Sequence, residues 1–358
     1  MQQNKENKTA ERISMDLISL LRLTLTQHAS DLHLSAGLVP ILRIDGELQQ
    51  TSLPVLSTEQ IVSLFEPTLT DQQRQHFHQQ LDLDLALDIQ DLSRFRVHLF
   101  WQSRGVSAAI RCIPSEIFPL THYDLAQTFE KICHSPHGLV LVTGPTGSGK
   151  SSTLAAMLEH INHTRHAHII SIEDPIEYLF QVKKCLIQQR EILRHSHDFN
   201  AALYAALRQD PDIIFIGELR DTQTIRLALT AAETGHLVLA SLHSASATKT
   251  INRVVDAFSA SEKDSIRQLL AECLHAIIAQ VLVKRKTGGR IAVHEVMLAT
   301  PAVRNLIHEN KINQLYSNLQ TQSAIGMITL DQHLKQLTQQ GIIEPAHARA
   351  VALYPQNF

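Results

Sequence analysis

Several things are scarce in this sequence, and each scarcity excludes something. Its four cysteines, Cys112, Cys133, Cys185 and Cys273, stand far apart without a CxxC pair, which excludes a disulfide framework and fits a reduced cytosolic chain. Aromatic residues make up 5%, with one tryptophan, and Lys+Arg 32 against Asp+Glu 35 leaves a net charge of −3. Proteins that live on nucleic acid usually carry a basic excess and stacking aromatics, so no nucleic-acid partner is expected. No apolar run, 276–283 (AIIAQVLV) included, nears the ~20 residues that span a bilayer. The opening MQQNKENKTAER lacks the apolar core of a secretory signal. Direct membrane insertion is therefore not expected, and any membrane association must come through partners.

What remains is a folded composition, 44% hydrophobic and 19% charged over 358 residues, enough for two domains at roughly 100–200 residues each. The count of 21 histidines stands out.

Residues 1–14 carry no apolar period and read as a flexible tail. Leu17, Ile18, Leu20, Leu21 and Leu25 then recur at helical spacing. The stretch 81–89, LDLDLALDI, alternates strictly and predicts a strand with one core face and one wet face. Its three aspartates could in principle hold a metal, but they read as a solvated sheet face. Strands are also predicted around Arg94–Phe100 and Val106–Ile113, so 15–112 reads as a small α/β domain with an antiparallel sheet. The two prolines of 113–120 mark a linker. Beyond it, apolar strands at Gly138–Thr143, Ile169–Glu173, Ile213–Gly217 and Leu237–Leu242 alternate with helices, the pattern of a buried parallel sheet. This core is expected over 121–289, with a helical C-terminal subdomain over 290–358.

Gly144-Pro145-Thr146-Gly147-Ser148-Gly149-Lys150-Ser151 fits GxxxxGK[ST], between an apolar strand and a helical pattern. Such glycines let backbone N–H groups wrap phosphate oxygens at a helix N-terminus, with Lys150 reaching the β/γ-phosphates and the Ser151 hydroxyl on Mg²⁺. ATP and Mg²⁺ are thus expected. Asp210–Glu218 is an apolar strand ending in a carboxylate, with Gly217 where an aspartate is usual, leaving Glu218 to serve near the metal. The segment Ile170–Glu177 ends a second strand in acids, and 235–243, GHLVLASLH, places a histidine at each end of a third. Either histidine could donate to a γ-phosphate or simply be a surface residue.

Taken together, in this order and spacing, these segments resemble the secretion ATPase superfamily, and within it the type IV pilus retraction ATPases. The stretches 30–37 (SDLHLSAG), 144–151, 210–220 and 302–309 (AVRNLIHE) carry the likeness, which covers residues 15–358. The resemblance implies a PAS-like N-terminal domain, a RecA-like P-loop ATPase domain and a homohexameric ring. It implies ATP hydrolysis in the cytoplasm, peripheral at the inner membrane through a pilus platform protein, beside a possible paralogous retraction ATPase.

Carried over by position, Glu177 is the general base, Glu218 the Walker B acid, and His236 and His243 the phosphate-sensing pair. Arg96 and Arg111 match positions that approach phosphates from the N-terminal domain, with Arg94 and Arg104 as weaker candidates. Ser152, where threonine is frequent, completes the nucleotide loop. The family's AIRNLIRE signature here has Val303 and His308 in place of Ile and Arg, an exchange that touches mechanical coupling rather than hydrolysis.

Three alternatives stand beside this reading. An assembly ATPase is disfavoured by the missing tetracysteine module and the short stretch before the first helix. An accessory retraction ATPase, or a motor of a related type II/IV secretion system, stays open. A nucleic-acid translocating RecA-like motor is disfavoured by the charge. His163, His166 and His168 lie close together, but without a recognisable carboxylate or cysteine partner they read as surface residues.

Overall fold

The computed structural model describes residues 16–90, 92–113 and 116–358. The tail expected over 1–14 lies outside them, as do residues 114–115 of the expected linker. The chain divides into two compact units, 1–115 and 116–358.

The first unit begins with helix α1 (Leu17–Thr26), whose N-cap Asp16 accepts from the Ser19 amide. Strands β1 (Asp31–Ser35), β2 (Ile41–Ile44) and β3 (Glu47–Gln50) follow, then helices α2 (Thr58–Phe65) and α3 (Asp71–Gln80), each opened by a capping box. The unit ends with β4 (Asp82–Ile89), β5 (Ser93–Gln102) and β6 (Gly105–Ile113). All six strands form one antiparallel sheet, ordered β3-β2-β1-β6-β5-β4. Along β4, Leu83, Leu85 and Leu87 are buried while Asp82, Asp84 and Asp88 face water, as period-two alternation requires. That core closes against Leu20 and Leu21 of α1 and Ile61 and Phe65 of α2.

The second unit runs α4 (Ala126–Cys133), β7 (Gly138–Thr143), α5 (Lys150–Thr164), β8 (His168–Glu173), β9 (Leu186–Glu191), α6 (Phe199–Ala206) and β10 (Ile213–Ile216). It continues through α7 (Thr222–Glu233), β11 (Leu237–Leu242), α8 (Ala247–Asp256), α9 (Lys263–Cys273), β12 (Leu274–Lys284) and β13 (Arg290–Leu298). Helices α10 (Pro301–His308), α11 (Leu315–Thr321), α12 (Leu330–Gln339) and α13 (Pro345–Val351) complete it. The sheet order is β13-β12-β7-β11-β10-β8-β9, parallel except for β13.

Every residue of β7, β10 and β11 is buried because helices cover both faces. Alternate side chains feed separate cores. Leu139, Leu141, Ile214 and Val238 pack with α6 to α9, whereas Val140, Val142, Phe215 and Leu239 pack with α4 and α5.

The boundary expected at 289/290 is corrected. Strand β13 pairs antiparallel with β12 from Ala276↔Leu298 to Lys284↔Arg290, so it belongs to the ATPase sheet and the helical segment begins at Pro301. Its His294 and Glu295 are buried at 0% and 4% exposure, and their partners His333 and Ala247 are remote in sequence. Strand β9 also falls outside the expected set; it is a polar edge strand, LIQQRE, with no apolar run to announce it.

Candidate functional site

The loop between β7 and α5 is shaped by glycines at positive φ: Gly144 (150°), Gly147 (77°) and Gly149 (87°). Gly144 also needs its missing side chain, since a Cβ there would sit 2.3 Å from the Gln280 carbonyl oxygen. Lys150 opens α5, is 8% exposed, and donates from Nζ to the Gly144 and Pro145 carbonyls at 3.1 Å each. Burial lowers its pKa, while the charges of Glu218 and Glu177 oppose that shift. Pro145, Thr146 and Gly147 are exposed at the loop's tip, and Ser151 is half-buried in the first turn of α5. Ser148 is 3% exposed, and its Oγ has no hydrogen-bond partner among the described residues. A concave loop of backbone amides, a buried ammonium and an orphaned hydroxyl suit a polyphosphate, so the residues fit a nucleotide. Ser152 is otherwise engaged, its Oγ lying 2.7 Å from Tyr178 Oη in the acidic loop.

Parallel pairing brings the ends of β8, β10 and β11 beside this loop. Glu218 follows β10 and meets Arg220 Nε at 2.8 Å and His243 Nε2 at 3.2 Å. Arg220 continues to Asp174 at 3.2 Å. The glycine at 217 has a structural cause, because a Cβ there would lie 3.3 Å from both Glu173 Cα and the Ile172 carbonyl oxygen. An aspartate would be pressed against the buried Glu173.

Glu177 lies exposed on the loop after β8. That loop, which includes the cis Asp174-Pro175 bond, is held from below by buried polar groups. Glu173 Oε2 accepts from the Glu177 amide at 3.4 Å, Glu191 Oε2 from the Ile176 amide at 3.2 Å, and Gln189 Oε1 from the Phe180 amide at 3.0 Å. Burial pushes the Glu173 carboxyl up to about 7, despite hydrogen bonds from Ser171 and Gln189.

The histidine pair is separated. In the register Leu237↔Gly138 to Leu242↔Thr143, His243 ends β11 beside the phosphate loop while His236 precedes its other end. At roughly 3.3 Å per residue the seven steps between them span about 23 Å. His236 instead places Nδ1 2.9 Å from the Ala231 carbonyl of α7. Of the expected pair, His243 stands beside the phosphate loop and His236 at the far end of the same strand.

Arg96 and Arg111 face each other on β5 and β6 of the first unit. Arg111 Nε meets Asp31 at 2.9 Å and Arg96 Nε meets Asp84 at 3.9 Å, with both arginine side chains about half exposed. Arg94 stands opposite Asp88, and Arg104 lies in the β5–β6 turn.

In the C-terminal signature, Arg304 donates to the Ala299 carbonyl at 3.0 Å and the Ala271 carbonyl at 2.6 Å, and also to that of Glu272, so it caps α9. His308 is exposed at the end of α10. His163 does have a carboxylate neighbour, Glu159 one turn earlier at 3.4 Å, yet no metal-holding group of three ligating side chains occurs among the described residues. No helix among them is long and apolar enough to cross a membrane.

Sequence reasoning missed Arg220, Glu173 and Gln280. Arg220 had a signal, two residues after Glu218; Gln280 had one too, as the lone polar residue of an apolar run.

Comparison with known proteins shows the family of the whole chain. Residues 5–344 match the family described as Type II/IV secretion system protein. The chain is 50% identical over 344 residues to the Pseudomonas aeruginosa type IV pilus retraction ATPase PilT, covering 96% of this chain and all of that one. It is 48% identical to a Neisseria gonorrhoeae twitching motility protein, covering 95% of this chain and 91% of the relative. A crystal structure of the pilus retraction motor PilT with bound ADP superposes with a TM-score of 0.86 at 40% identity, covering 96% of this chain and 99% of that one. The chain thus belongs to the Type II/IV secretion system protein family, among its PilT-type pilus retraction ATPases.

Proposed function

We propose that this chain hydrolyses ATP as one subunit of a homohexameric motor that withdraws type IV pili. It would work at the inner membrane through a platform protein, beside a paralogous retraction ATPase where one exists. The observation that carries this reading is the convergence of Lys150, Glu218 and Glu177 at one end of a parallel sheet, close enough that both carboxylates act on the charge of Lys150.

In this reading the amides of 144–151 bind the phosphates, and Lys150 exchanges its two loop carbonyls for β/γ-oxygens. Ser151 and Glu218 would hold Mg²⁺, which supplies charge neutralisation of the phosphoryl group when bound. Glu177 orients the attacking water and takes its proton. His243, held by Glu218, reports the γ-phosphate position to that carboxylate. Arg111 and Arg96 are the candidates to complete the charge clamp, a contribution worth about 10³–10⁵ in rate in other nucleoside triphosphatases.

Lys150→Ala and Glu218→Ala should each abolish hydrolysis by the purified protein, and turnover retained in both would overturn the reading. Deleting the gene should give hyperpiliated cells that do not twitch; bald cells would indicate assembly instead.

A further inference from the structure

Behind the phosphate loop runs a buried polar chain that the hydrolysis described above does not use. Gln280 of β12, 2% exposed, donates from Nε2 to the Ser148 carbonyl at 2.6 Å and accepts at Oε1 from Thr153 Oγ1 at 2.6 Å. One side chain thus joins the loop to the first turn of α5. The backbone approaches as closely: a Cβ on Gly149 would sit 2.9 Å from Gln280 Nε2. Two of the loop's glycines, 144 and 149, therefore make room for Gln280 as well as for phosphate.

The chain continues away from the loop. His294 Nε2 lies 3.2 Å from Gln280 Oε1, an atom that only accepts, so the His294 proton sits on Nε2. Its Nδ1 has no hydrogen-bond partner among the described residues. The His294 amide donates to His333 Nδ1 at 3.0 Å, an atom that also lies 3.3 Å from the His294 carbonyl oxygen, and His333 Nε2 stands 3.6 Å from Asp124 Oδ2. The two imidazoles stack with centroids 5.7 Å apart. Burial, reinforced by His333, holds His294 neutral, with its pKa down to about 3. The His333 imidazole in turn keeps the Asp124 carboxyl below its usual range. Core packing alone does not call for this arrangement, since an apolar side chain of similar volume would fill the space without polar ends to satisfy.

We propose that Gln280 is a positioning residue that fixes the phosphate loop in its binding shape, held in turn by His294, His333 and Asp124. Nucleotide affinity is then set partly by α12 and by the segment before α4, neither of which touches nucleotide in this account. The inference rests on the nucleotide site described above and concerns binding, not the hydrolytic step.

The test is titration of the full chain with fluorescent ADP, together with steady-state hydrolysis. Gln280→Met keeps the volume and removes both polar ends; it should loosen ADP and raise the KM for ATP about tenfold, the value of one lost buried hydrogen bond, with kcat changed less than about twofold. ADP affinity within twofold of wild type in the folded variant would overturn the proposal. Should that variant not fold, His333→Leu should loosen ADP about fivefold, whereas His333→Asn, whose Oδ1 can replace Nδ1 as acceptor, should restore it to within twofold. An unaffected Leu variant, or an Asn variant as weak as Leu, would overturn it equally. A wild-type protein that binds ADP but hydrolyses nothing would sink the hydrolytic reading and leave the binding comparison intact.

Discussion

In the first unit, Arg111 and Arg96 lie on the open face of an antiparallel sheet, about half exposed and paired with Asp31 and Asp84. In the second, Lys150, Glu173 and Gln280 are 8%, 5% and 2% exposed, and each is tied to backbone or buried partners at the loop end of a parallel sheet. Arg96 and Asp84 are both exposed, and such pairs are worth typically ~0–1 kcal/mol, so Arg96 can leave its partner cheaply, while the buried Asp31 that Arg111 faces is also met by Arg43 and Ser30. Buried polar groups lose the full desolvation cost when unpaired, so those of the second unit stay in place. One unit holds loosely paired charge on its surface, and the other holds a cradle that is already formed.

The sharpest way to break this comparison uses one glycine from each unit. Gly144→Val should abolish nucleotide binding, because its Cβ meets the Gln280 carbonyl oxygen at 2.3 Å. Gly46→Val, at φ +90° in the β2–β3 turn but with nothing within 4 Å, should cost only about 1–2 kcal/mol of stability and leave binding unchanged. Calorimetric ADP titration and urea melts read both arms, and a Gly144 variant that binds normally would refute the close-approach argument.

Next in size is Arg111→Ala. In the proposed ring it should lower hydrolysis by about 10³. Turnover unchanged would show that its pairing with Asp31 is all it does.

The smallest effect tests the buried side. Glu173 holds its proton to about pH 7 in the fold but only to its ordinary value of 4.5 when unfolded. Its folded pKa is raised, so the fold binds more protons than the unfolded chain between those values, and stability should fall as pH rises from 4.5 to 7. Glu173→Gln should flatten that slope. Parallel stability curves for variant and wild type would contradict the burial argument.

Where the sequence was legible, the reason was local. The apolar runs of β7, β10 and β11, the alternation of β4 and the glycine spacing of 144–149 are short-range patterns, each imposed by one environment on neighbouring residues. Strands β9 and β13 were illegible because their polar residues are matched by partners far along the chain, as Gln189 is by Glu173 and His294 by His333. The histidine pair is a similar case: sequence places His236 one strand length from His243, and only strand direction says which of them stands beside the glycine loop.

By itself, then, the sequence determined that a strand, a glycine loop and a helix would follow one another at 138–164, with acids ending the strands around 173 and 218. Those features depend on backbone conformation and hydrophobic period, which neighbouring residues decide. Only the tertiary structure decided that Glu218 would hold His243 and Arg220, that His236 would stand at the opposite end, and that Gln280 would underlie the loop 132 residues before it. Those contacts arise from strand order and register, which the chain acquires when the whole sheet closes.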